Sequence, residues 1–355
     1  MRRRTDERKD MERQVRESTG SQVTVIIPNY NGMKYLPDCM EALRAQTCRD
    51  FTVLVVDNGS QDGSEAWLRE QGIPTVFLPE NLGFSGAVNI GIKKSSTPFV
   101  ILLNNDTKVD KNYIREMLRA VKRSPKIFSV SSKMVQLYHP ELMDDAGDMY
   151  CLLGWAFQRG VGRNSAGYNR PMRIFSACAG AALYRREVFE EIGYFDEMHF
   201  AYLEDLDVGY RARICGYDNV YCPSALVYHV GSGTTGSKYN SFKVKLAARN
   251  NIYLNYKNMP FLQLLLNLPG ITAGILLKFA FFYKLGFAGD YLAGIKEGIC
   301  TRKQCKKVPY RKERFKNYLA VEGELFAATF LYTYEFSSRQ LAKVIRRVIG
   351  TRQLR

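Results

Sequence analysis

Short apolar runs alternate with segments of helical length in the first third of the chain. The runs cover residues 23–27, 51–56, 75–78 and 99–103, and helical spacing of apolar residues follows over 35–45, 64–70 and 87–94. Strands that are apolar at every position are buried on both faces, and helices between them produce parallel βαβ units. The alternation therefore predicts a Rossmann-like α/β fold, with a mostly parallel sheet and helices on both faces.

Charge divides the chain into three parts. Residues 1–20 are strongly polar and contain no apolar core, so we interpret them as a polar lead-in and not as a secretory signal. Residues 21–258 are close to charge balance and hold the α/β domain. Residues 259–355 carry 17 basic and 6 acidic side chains, so they account for most of the net charge of +16. The eight cysteines form no pair of CxxC motifs, which indicates reduced thiols in a cytoplasmic protein.

The C-terminal part begins with an uncharged run over residues 261–277. A membrane-spanning helix needs about 20 apolar residues, whereas this run is shorter and contains Gln263, Asn267 and Pro269. A basic block over residues 302–316 follows. We predict helices that lie in the membrane interface with the basic block on anionic headgroups, at the cytoplasmic face of the cell membrane, peripheral or monotopic. A packed helical subdomain and a true span remain alternatives.

Polar and acidic residues follow each of the four apolar runs. They form the segments PNYNG (28–32), DNGS (57–60), ENLGF (80–84) and NND (104–106). Each segment alone has ordinary turn chemistry. Ligands bind outside the carboxyl ends of parallel strands, however, so four such ends at one edge favour a binding site. No G-x-G-x-x-G of a dinucleotide site follows the first apolar run, and the P-loop pattern G-x-x-x-x-G-K-[S/T] does not occur. A bound diphosphate would then need a divalent cation on Asp106, and hard oxygen ligands suit Mg²⁺ or Mn²⁺.

Two further groups of candidate residues lie later in the chain. Glu204 and Asp205 are expected to project from the first turn of a predicted helix. Carboxylates there are favoured by the helix dipole, and one of them can also take a proton from a sugar hydroxyl. Asp207 and Arg211 have the i,i+4 spacing of a structural ion pair. His229 ends a short strand before a glycine-rich loop, and both a structural and a ligand role fit that position. These residues alone leave both alternatives open.

Seven segments occur in one order along the chain: VTVIIPNYNG, VVDNGSQDGS, NLGFSGAVNIGI, ILLNND, GAALYRREVFEEIGYFDE, FAYLEDLDVGYRARICGY and ALVYHVGSGTT. Over residues 21–258 the chain thus resembles the family-2 glycosyltransferases of the GT-A fold, particularly the rhamnosyltransferase-like and galactofuranosyltransferase-like branch. The resemblance implies a metal-dependent, inverting hexosyltransferase-type enzyme of cell-surface polysaccharide or glycolipid assembly. Its donor would be a nucleoside-diphosphate sugar, with thymidine-diphosphate rhamnose first and uridine-diphosphate sugars second. Its acceptor would be a glycan or a polyprenyl-linked glycan.

The resemblance also implies roles for the positions that would bind the donor. Pro28, Tyr30 and Asp57 would lie at the nucleoside, with Asp57 at the edge of the base. Asn81 and Gly83 would approach the donor from the third strand end.

Asn104–Asn105–Asp106 matches the DxD position of the family. Asn104 would lie near the ribose or diphosphate, Asn105 would belong to the same donor site, and Asp106 would bind Mn²⁺ or Mg²⁺ together with His229. Asn104 replaces the first acid of DxD, so the implied metal site has one carboxylate and one imidazole, and the imidazole favours manganese.

The catalytic base of the family matches Asp205, in the Glu204–Asp205 pair. Gly180 would lie under the transferred sugar. Asp205 would remove the proton of the acceptor hydroxyl while the oxygen attacks the anomeric carbon in one inverting step.

A non-catalytic nucleotide-sugar or glycan-binding module on the same fold is the main alternative function. The presence of both Asp106 and Asp205 favours the enzyme. A dehydrogenase is disfavoured because no glycine fingerprint follows the first apolar run. Nucleic-acid binding is disfavoured because the basic residues flank apolar helices.

Overall fold

The computed structural model describes residues 20–231 and 239–352, with side-chain surroundings as far as residue 338. All of the polar lead-in except Gly20 lies outside the described residues. The strands are β1 (Val23–Asn29), β2 (Phe51–Asp57), β3 (Thr75–Phe77), β4 (Phe99–Leu103), β5 (Thr107–Val109), β6 (Ile127–Gln136), β7 (His139–Asp145), β8 (Asp148–Cys151), β9 (Trp155–Gln158), β10 (Met172–Ile174), β11 (Ala181–Arg185) and β12 (Asp218–His229). The helices are α1 (Leu36–Arg44), α2 (Ser64–Glu70), α3 (Gly83–Lys94), α4 (Tyr113–Val121), α5 (Val188–Ile192), α6 (Glu204–Ile214), α7 (Ser241–Asn258), α8 (Phe261–Lys284), α9 (Ala288–Thr301) and α10 (Phe315–Arg352).

One mixed sheet forms the centre of the α/β domain. Its strand order is β10-β12-β6-β11-β4-β1-β2-β3, with β5 paired to β12 and β7 to β6. Strands β4, β1, β2 and β3 are parallel, as the βαβ pattern predicts. Strand β11 enters between β4 and β6 and runs antiparallel to both. The start of β11 therefore lies beside the end of β4, which brings the later part of the chain to the predicted binding edge.

Both faces of the sheet are covered by helices. One hydrophobic core packs residues of α1 and α4 against the sheet, among them Leu36 and Met117. The other core packs residues of α3, α5 and α6 on the opposite face, among them Ile92, Phe189 and Val208. Strand β4 is buried at every position, as its uniformly apolar sequence predicts. The predicted α/β fold with helices on both faces is confirmed.

The C-terminal helices pack on one side of this domain. Helix α7 lies against α6 and α9. Helix α8 is 24 residues long, continues through Pro269, and buries Asn267, Ile271 and Gly274. It is longer than the uncharged run that begins it, and by length and composition it is long enough to cross a membrane. The length of α8 therefore does not exclude a membrane-spanning helix, whereas the shorter uncharged run 261–277 argued against one.

A small hairpin connects the two regions. Strands β8 and β9 pair antiparallel and Cys151 lies opposite Trp155. The Leu152 backbone N–H donates to Thr329 Oγ1 of α10 at 3.1 Å, and Trp155 Nε1 donates to the Gly274 carbonyl of α8 at 3.1 Å. The hairpin is thus fixed between α8 and α10.

Candidate functional site

Hydrogen bonds of the asparagine side chains, one of them to the Asp57 carboxylate, join the four strand ends. Asn29 Nδ2, at the end of β1, donates to Asp57 Oδ2 at 2.8 Å, and Asn29 Oδ1 accepts from Asn105 Nδ2 at 2.7 Å. Asn58 Nδ2 donates to Asn81 Oδ1 at 2.8 Å. The structure therefore brings the polar strand ends together at one edge, as the sequence pattern predicts.

Two glycines allow this edge to close. A Cβ atom on Gly32 would lie 1.9 Å from Asn105 Nδ2 and 2.3 Å from Asn29 Oδ1. Gly83 has a φ of +75°, and a Cβ atom there would lie 2.5 Å from the Phe200 ring. Side chains at either position would separate segments that are packed in direct contact.

The three residues expected at the nucleoside differ in exposure. Pro28 lies within β1 and is half-buried, whereas the Tyr30 side chain is 38% exposed beside the strand ends. Asp57 is almost wholly buried, and its oxygens accept hydrogen bonds from Asn29 Nδ2 and from the Ser60 backbone N–H at 3.0 Å. A base would therefore meet a carboxylate that is already oriented by two protein donors.

Asn104 and Gly180 are in direct contact across the sheet. The Asn104 backbone N–H donates to the Gly180 carbonyl at 2.8 Å. This contact exists because the antiparallel register pairs Leu103 with Ala181. It joins the Asn104–Asn105–Asp106 segment to the loop that precedes β11.

His229 lies between two carboxylates. Its Nε2 is 3.3 Å from Asp106 Oδ1, and its Nδ1 is 2.6 Å from Asp144 Oδ2. Burial lowers the pKa of His229, but hydrogen bonds and charge from Asp106 and Asp144 outweigh it and raise the pKa to about 10. The predicted pair of Asp106 and His229 is brought together by β12, which pairs His229 with Thr107 of β5.

These side chains fit a divalent cation. Asp144 on Nδ1 fixes the orientation of the imidazole and directs Nε2 towards Asp106, which is the arrangement of a metal-binding histidine with a carboxylate behind it. The sequence pattern did not identify Asp144 as a site residue. The only sequence signal was the pair of adjacent acids in the DDAG segment.

Glu204 and Asp205 begin α6, as expected, but they point differently. Asp205 is half-buried, and its two oxygens accept from the backbone N–H groups of Ala179 at 3.1 Å and Leu206 at 2.7 Å. Glu204 is 6% exposed, and its Oε2 has no hydrogen-bond partner within the described part of the chain. The expectation that Glu204 projects from the helix is wrong. The chain enters α6 at Leu203 with a φ of 65°, and this sharp turn packs the first helical residue inward.

Several acids gather around Asp205. Carboxylate oxygens of Asp148 and Asp205 and the Cys178 sulfur lie within 4.8 Å of one another, a group that could hold a metal ion. Burial raises the pKa of Asp145 to about 7, with a further increase from Asp144 and Asp205. Burial also raises the pKa of Asp205, and it raises those of Asp148 and Glu204 well above their usual range. Such a group of carboxylates can exchange protons near neutral pH.

A buried network holds α6 in place from behind. The predicted ion pair is confirmed, since Arg211 Nη2 is 2.9 Å from Asp207 Oδ2. Lys257 Nζ and Asn258 Nδ2 of α7 also donate to the Asp207 carboxylate, at 2.8 Å and 2.7 Å. The helix that carries Asp205 is therefore fixed to α7.

The loop before α6 is held in a strained backbone conformation. Phe200, Tyr202 and Leu203 have φ values of 60°, 70° and 65°. For residues other than glycine, this left-handed backbone region is unfavourable by about 1–2 kcal/mol each. Asn250 Nδ2 of α7 donates to the carbonyls of His199, Ala201 and Tyr202 at 2.8–2.9 Å. No local sequence signal marks Asn250, because its partners lie about fifty residues earlier in the chain.

Comparisons with known proteins agree on one family and one fold. Residues 24–193 match the family model described as Glycosyl transferase family 2. Over 244 residues the chain is 29% identical to N-acetylglucosaminyl-diphospho-decaprenol L-rhamnosyltransferase of Mycobacterium tuberculosis. The aligned region covers 60% of this chain and 77% of that protein.

Two solved structures share the fold at low identity. The structure of GalNAc-T7 with UDP, GalNAc and Mn²⁺ superposes with a TM-score of 0.54 at 16% identity, over 66% of this chain and 48% of that one. The mannosyltransferase PcManGT from Pyrobaculum calidifontis, in complex with GDP-Man and Mn²⁺, gives 0.52 at 15% identity, over 79% of this chain and 88% of that one.

Proposed function

We propose that this chain is a metal-dependent, inverting enzyme of the family 2 glycosyltransferases, whose family model matches residues 24–193, on the GT-A fold. It transfers a sugar, rhamnose or a similar one, from a nucleoside diphosphate to a glycan or a lipid-linked glycan. One observation carries the proposal. Asn104, two residues before Asp106, contacts Gly180, and Ala179 next to it donates to Asp205. The metal-binding carboxylate and the base therefore belong to adjoining segments.

The donor site in this proposal is the edge formed by the strand ends. Tyr30 and Asp57 bind the nucleoside, and Asn81, Gly83 and Asn105 shape the surface on which the donor lies. Thymidine-diphosphate rhamnose is the first donor to test, because the mycobacterial relative is named as an L-rhamnosyltransferase. A uridine-diphosphate sugar is the second.

Asp106 and His229 are the proposed metal ligands. The chemistry supplied there would be that of a Lewis acid, which neutralises charge on the leaving diphosphate. An imidazole ligand favours Mn²⁺ over Mg²⁺. The substitution Asp106→Ala is expected to abolish Mn²⁺-dependent turnover, and circular dichroism checks that the metal-free variant is folded. Turnover that keeps its Mn²⁺ dependence would contradict this assignment.

Asp205 is the proposed base, with Glu204 beside it. Asp205 takes the proton of the acceptor hydroxyl as the oxygen attacks the anomeric carbon and the nucleoside diphosphate leaves. The substitution Asp205→Asn is expected to lower kcat by about 10²–10⁴-fold, the usual contribution of a general base, with little change in donor affinity. A matched control is Glu187→Gln, since the Glu187 side chain is 78% exposed. A kcat within tenfold of wild type for Asp205→Asn would exclude this role.

Turnover of the wild type decides between an enzyme and a binding module. Donor hydrolysis or transfer that requires Mn²⁺ supports the enzyme. Donor binding seen as thermal stabilisation, with no turnover under any acceptor condition, would support the non-catalytic alternative.

The C-terminal helices are proposed to lie in the interface of an anionic membrane. Helices α8 and α10 expose large apolar side chains, such as Leu266, Leu276 and Phe330. The basic block 302–316 runs from the end of α9 into the start of α10. Gln263 and Asn267 of α8 both donate to Glu322 Oε2 of α10, at 2.8 Å and 2.9 Å. A carboxylate at this position is costly inside a bilayer, so this contact favours an interfacial position over a span. Binding to anionic vesicles that weakens with salt, with no binding to neutral ones, is the expected result.

A further inference from the structure

Helix α8 approaches the β8–β9 hairpin through a stripe of small residues. A Cβ atom on Gly270 would lie 2.7 Å from the Leu152 carbonyl oxygen, and one on Gly274 would lie 2.0 Å from that of Leu153. The helix backbone therefore packs directly on the hairpin turn. The next position on the same stripe, four residues on, is Lys278.

Lys278 is a half-buried cation on this contact surface. Its Nζ lies 5.6 Å from the centroid of the Trp155 ring, and Trp155 is itself fixed by its hydrogen bond to the Gly274 carbonyl. No carboxylate of the described residues is a partner of Lys278, and burial lowers its pKa to about 8. Desolvating a cation is unfavourable, and an indole ring compensates only in part. The physical chemistry of the position indicates an anionic partner.

The surroundings of Lys278 show what kind of anion fits. Leu276 and Leu277 precede it and Phe281 follows it, with 63%, 55% and 45% of their surface exposed. The cation therefore lies at the border of an apolar surface. A phosphate that is attached to a hydrocarbon chain satisfies both features, whereas a free inorganic anion uses only one.

The hairpin connects this cation to the acids around Asp205. Asp148, at the start of β8, is within 4.8 Å of Asp205, and Cys151, at the end of β8, lies opposite Trp155. The two ends of β8 are three residues apart, which is about 10 Å along a strand. The acids and the Trp155 end of the hairpin are thus one strand length apart, a span on the scale of a small glycan.

We propose that Lys278, supported by Trp155, binds a phosphate group of a lipid-linked acceptor. The acceptor sugar then extends towards Asp205, and the hydrocarbon chain lies along the exposed side of α8. The proposal rests on the transferase function proposed above. The donor diphosphate is assigned to Asp106 and His229, so Lys278 is left for the acceptor. In this proposal the anionic headgroups of the surrounding membrane bind the basic block 302–316 and not Lys278.

The test compares two acceptors of the same sugar in the same detergent micelles. One acceptor is a polyprenyl-diphospho-sugar, and the other is an uncharged alkyl glycoside. The substitution Lys278→Met keeps the length of the side chain and removes its charge. Its KM for the diphosphate acceptor is expected to rise roughly 10–100-fold, the loss of a hydrogen bond to a charged group. Its KM for the alkyl glycoside and for the donor is expected to stay at the wild-type value.

Two control variants and a binding assay separate this role from others. Lys278→Arg is expected to recover most of the affinity for the diphosphate acceptor, and Lys284→Met, an exposed lysine at the end of α8, is expected to have no effect. Binding of Lys278→Met to phosphatidylglycerol vesicles is expected to match wild type.

Each other outcome overturns the assignment. An equal rise in KM for both acceptors means a structural role, a changed donor KM means a donor site, and a loss of vesicle binding alone means a headgroup contact. A wild type that hydrolyses the donor with Mn²⁺ but uses neither acceptor refutes this inference while the enzyme class stands. A wild type with no donor turnover refutes the proposed function itself.

Discussion

The buried carboxylate of Asp207 gives the most quantitative test of how the domain and its C-terminal helices are joined. It is wholly buried, and it accepts hydrogen bonds from Arg211 Nε at 3.0 Å and Nη2 at 2.9 Å, and from Lys257 Nζ at 2.8 Å. Asn258 Nδ2 donates to the second oxygen at 2.7 Å. Asp207→Ala removes the carboxylate and leaves Arg211 and Lys257 buried without it.

Breaking a buried ion pair by removing one partner lowers the free energy of unfolding by about 3–5 kcal/mol. The lower end applies here for a structural reason. Lys257 keeps a second partner, Asp196, at 2.7 Å. Arg211 keeps the carbonyls of Gly193 and Tyr194, at 2.6 Å and 2.8 Å. We therefore expect a loss of about 3 kcal/mol, and at roughly 2–4 °C per kcal/mol for a domain of this size the melting temperature falls by roughly 6–12 °C.

The assay is urea unfolding followed by circular dichroism, with an exposed ion pair as the control. Arg69 and Glu65 form an i,i+4 pair at 2.8 Å in which both side chains are at least half exposed. Glu65→Ala is expected to lose only about 0.3–0.5 kcal/mol. A loss below about 1 kcal/mol for Asp207→Ala would refute the reasoning, because it would mean that the carboxylate is not the counter-charge of the two cations.

The pH dependence of the stability that this carboxylate contributes provides a second check. Burial raises the pKa of Asp207, but Arg211 and Lys257 outweigh it and hold the pKa well below its ordinary value of 3.8. The stabilisation from the ionised carboxylate is therefore fully present above pH 3.8 and is lost as pH falls towards the folded value. The stability difference between wild type and Asp207→Asn is expected to be constant from pH 7 to about pH 5 and to narrow below about pH 4. A difference that widens in acid would contradict the ion-pair account.

Two other predictions concern the donor and metal sites. Asp144→Asn keeps the shape of the side chain but removes the charge behind His229, so Mn²⁺ affinity is expected to fall about 10–100-fold. Calorimetry or the Mn²⁺ dependence of turnover measures this affinity. An unchanged affinity would mean that Asp144 does not orient the imidazole. Gly32→Ala places a Cβ atom 1.9 Å from Asn105 Nδ2 and is expected to abolish stabilisation by the donor nucleotide in a thermal-shift assay. Gly167→Ala, where nothing lies within 4 Å, is its control, and equal donor binding by both variants would contradict the role of the close contact.

Much of the parallel half of the fold could be predicted because its signals are local. The apolar runs of β1, β2 and β4 end within one residue or two of the observed strands. The other half of the sheet has weaker signals. Strand β6 contains polar residues and is nevertheless buried at nearly every position, and β12 contains Pro223 and an irregular register. The alternation of apolar runs and helical segments therefore predicts strands that are uniformly apolar. It does not predict strands whose polar side chains are hydrogen-bonded inside the sheet.

The sequence by itself determined the parallel strands, the polar segments at their carboxyl ends, and the i,i+4 pair of Asp207 and Arg211, because each depends on residues close together in the chain. Only the tertiary structure decided that Asp144 orients His229, that Glu204 is buried, and that Asn250 holds the loop before α6. Asp144 and His229 are 85 residues apart, and their meeting depends on the register of the strands that carry them, β7 and β12, with β6. That register is set by packing across the whole sheet, so no local pattern specifies it.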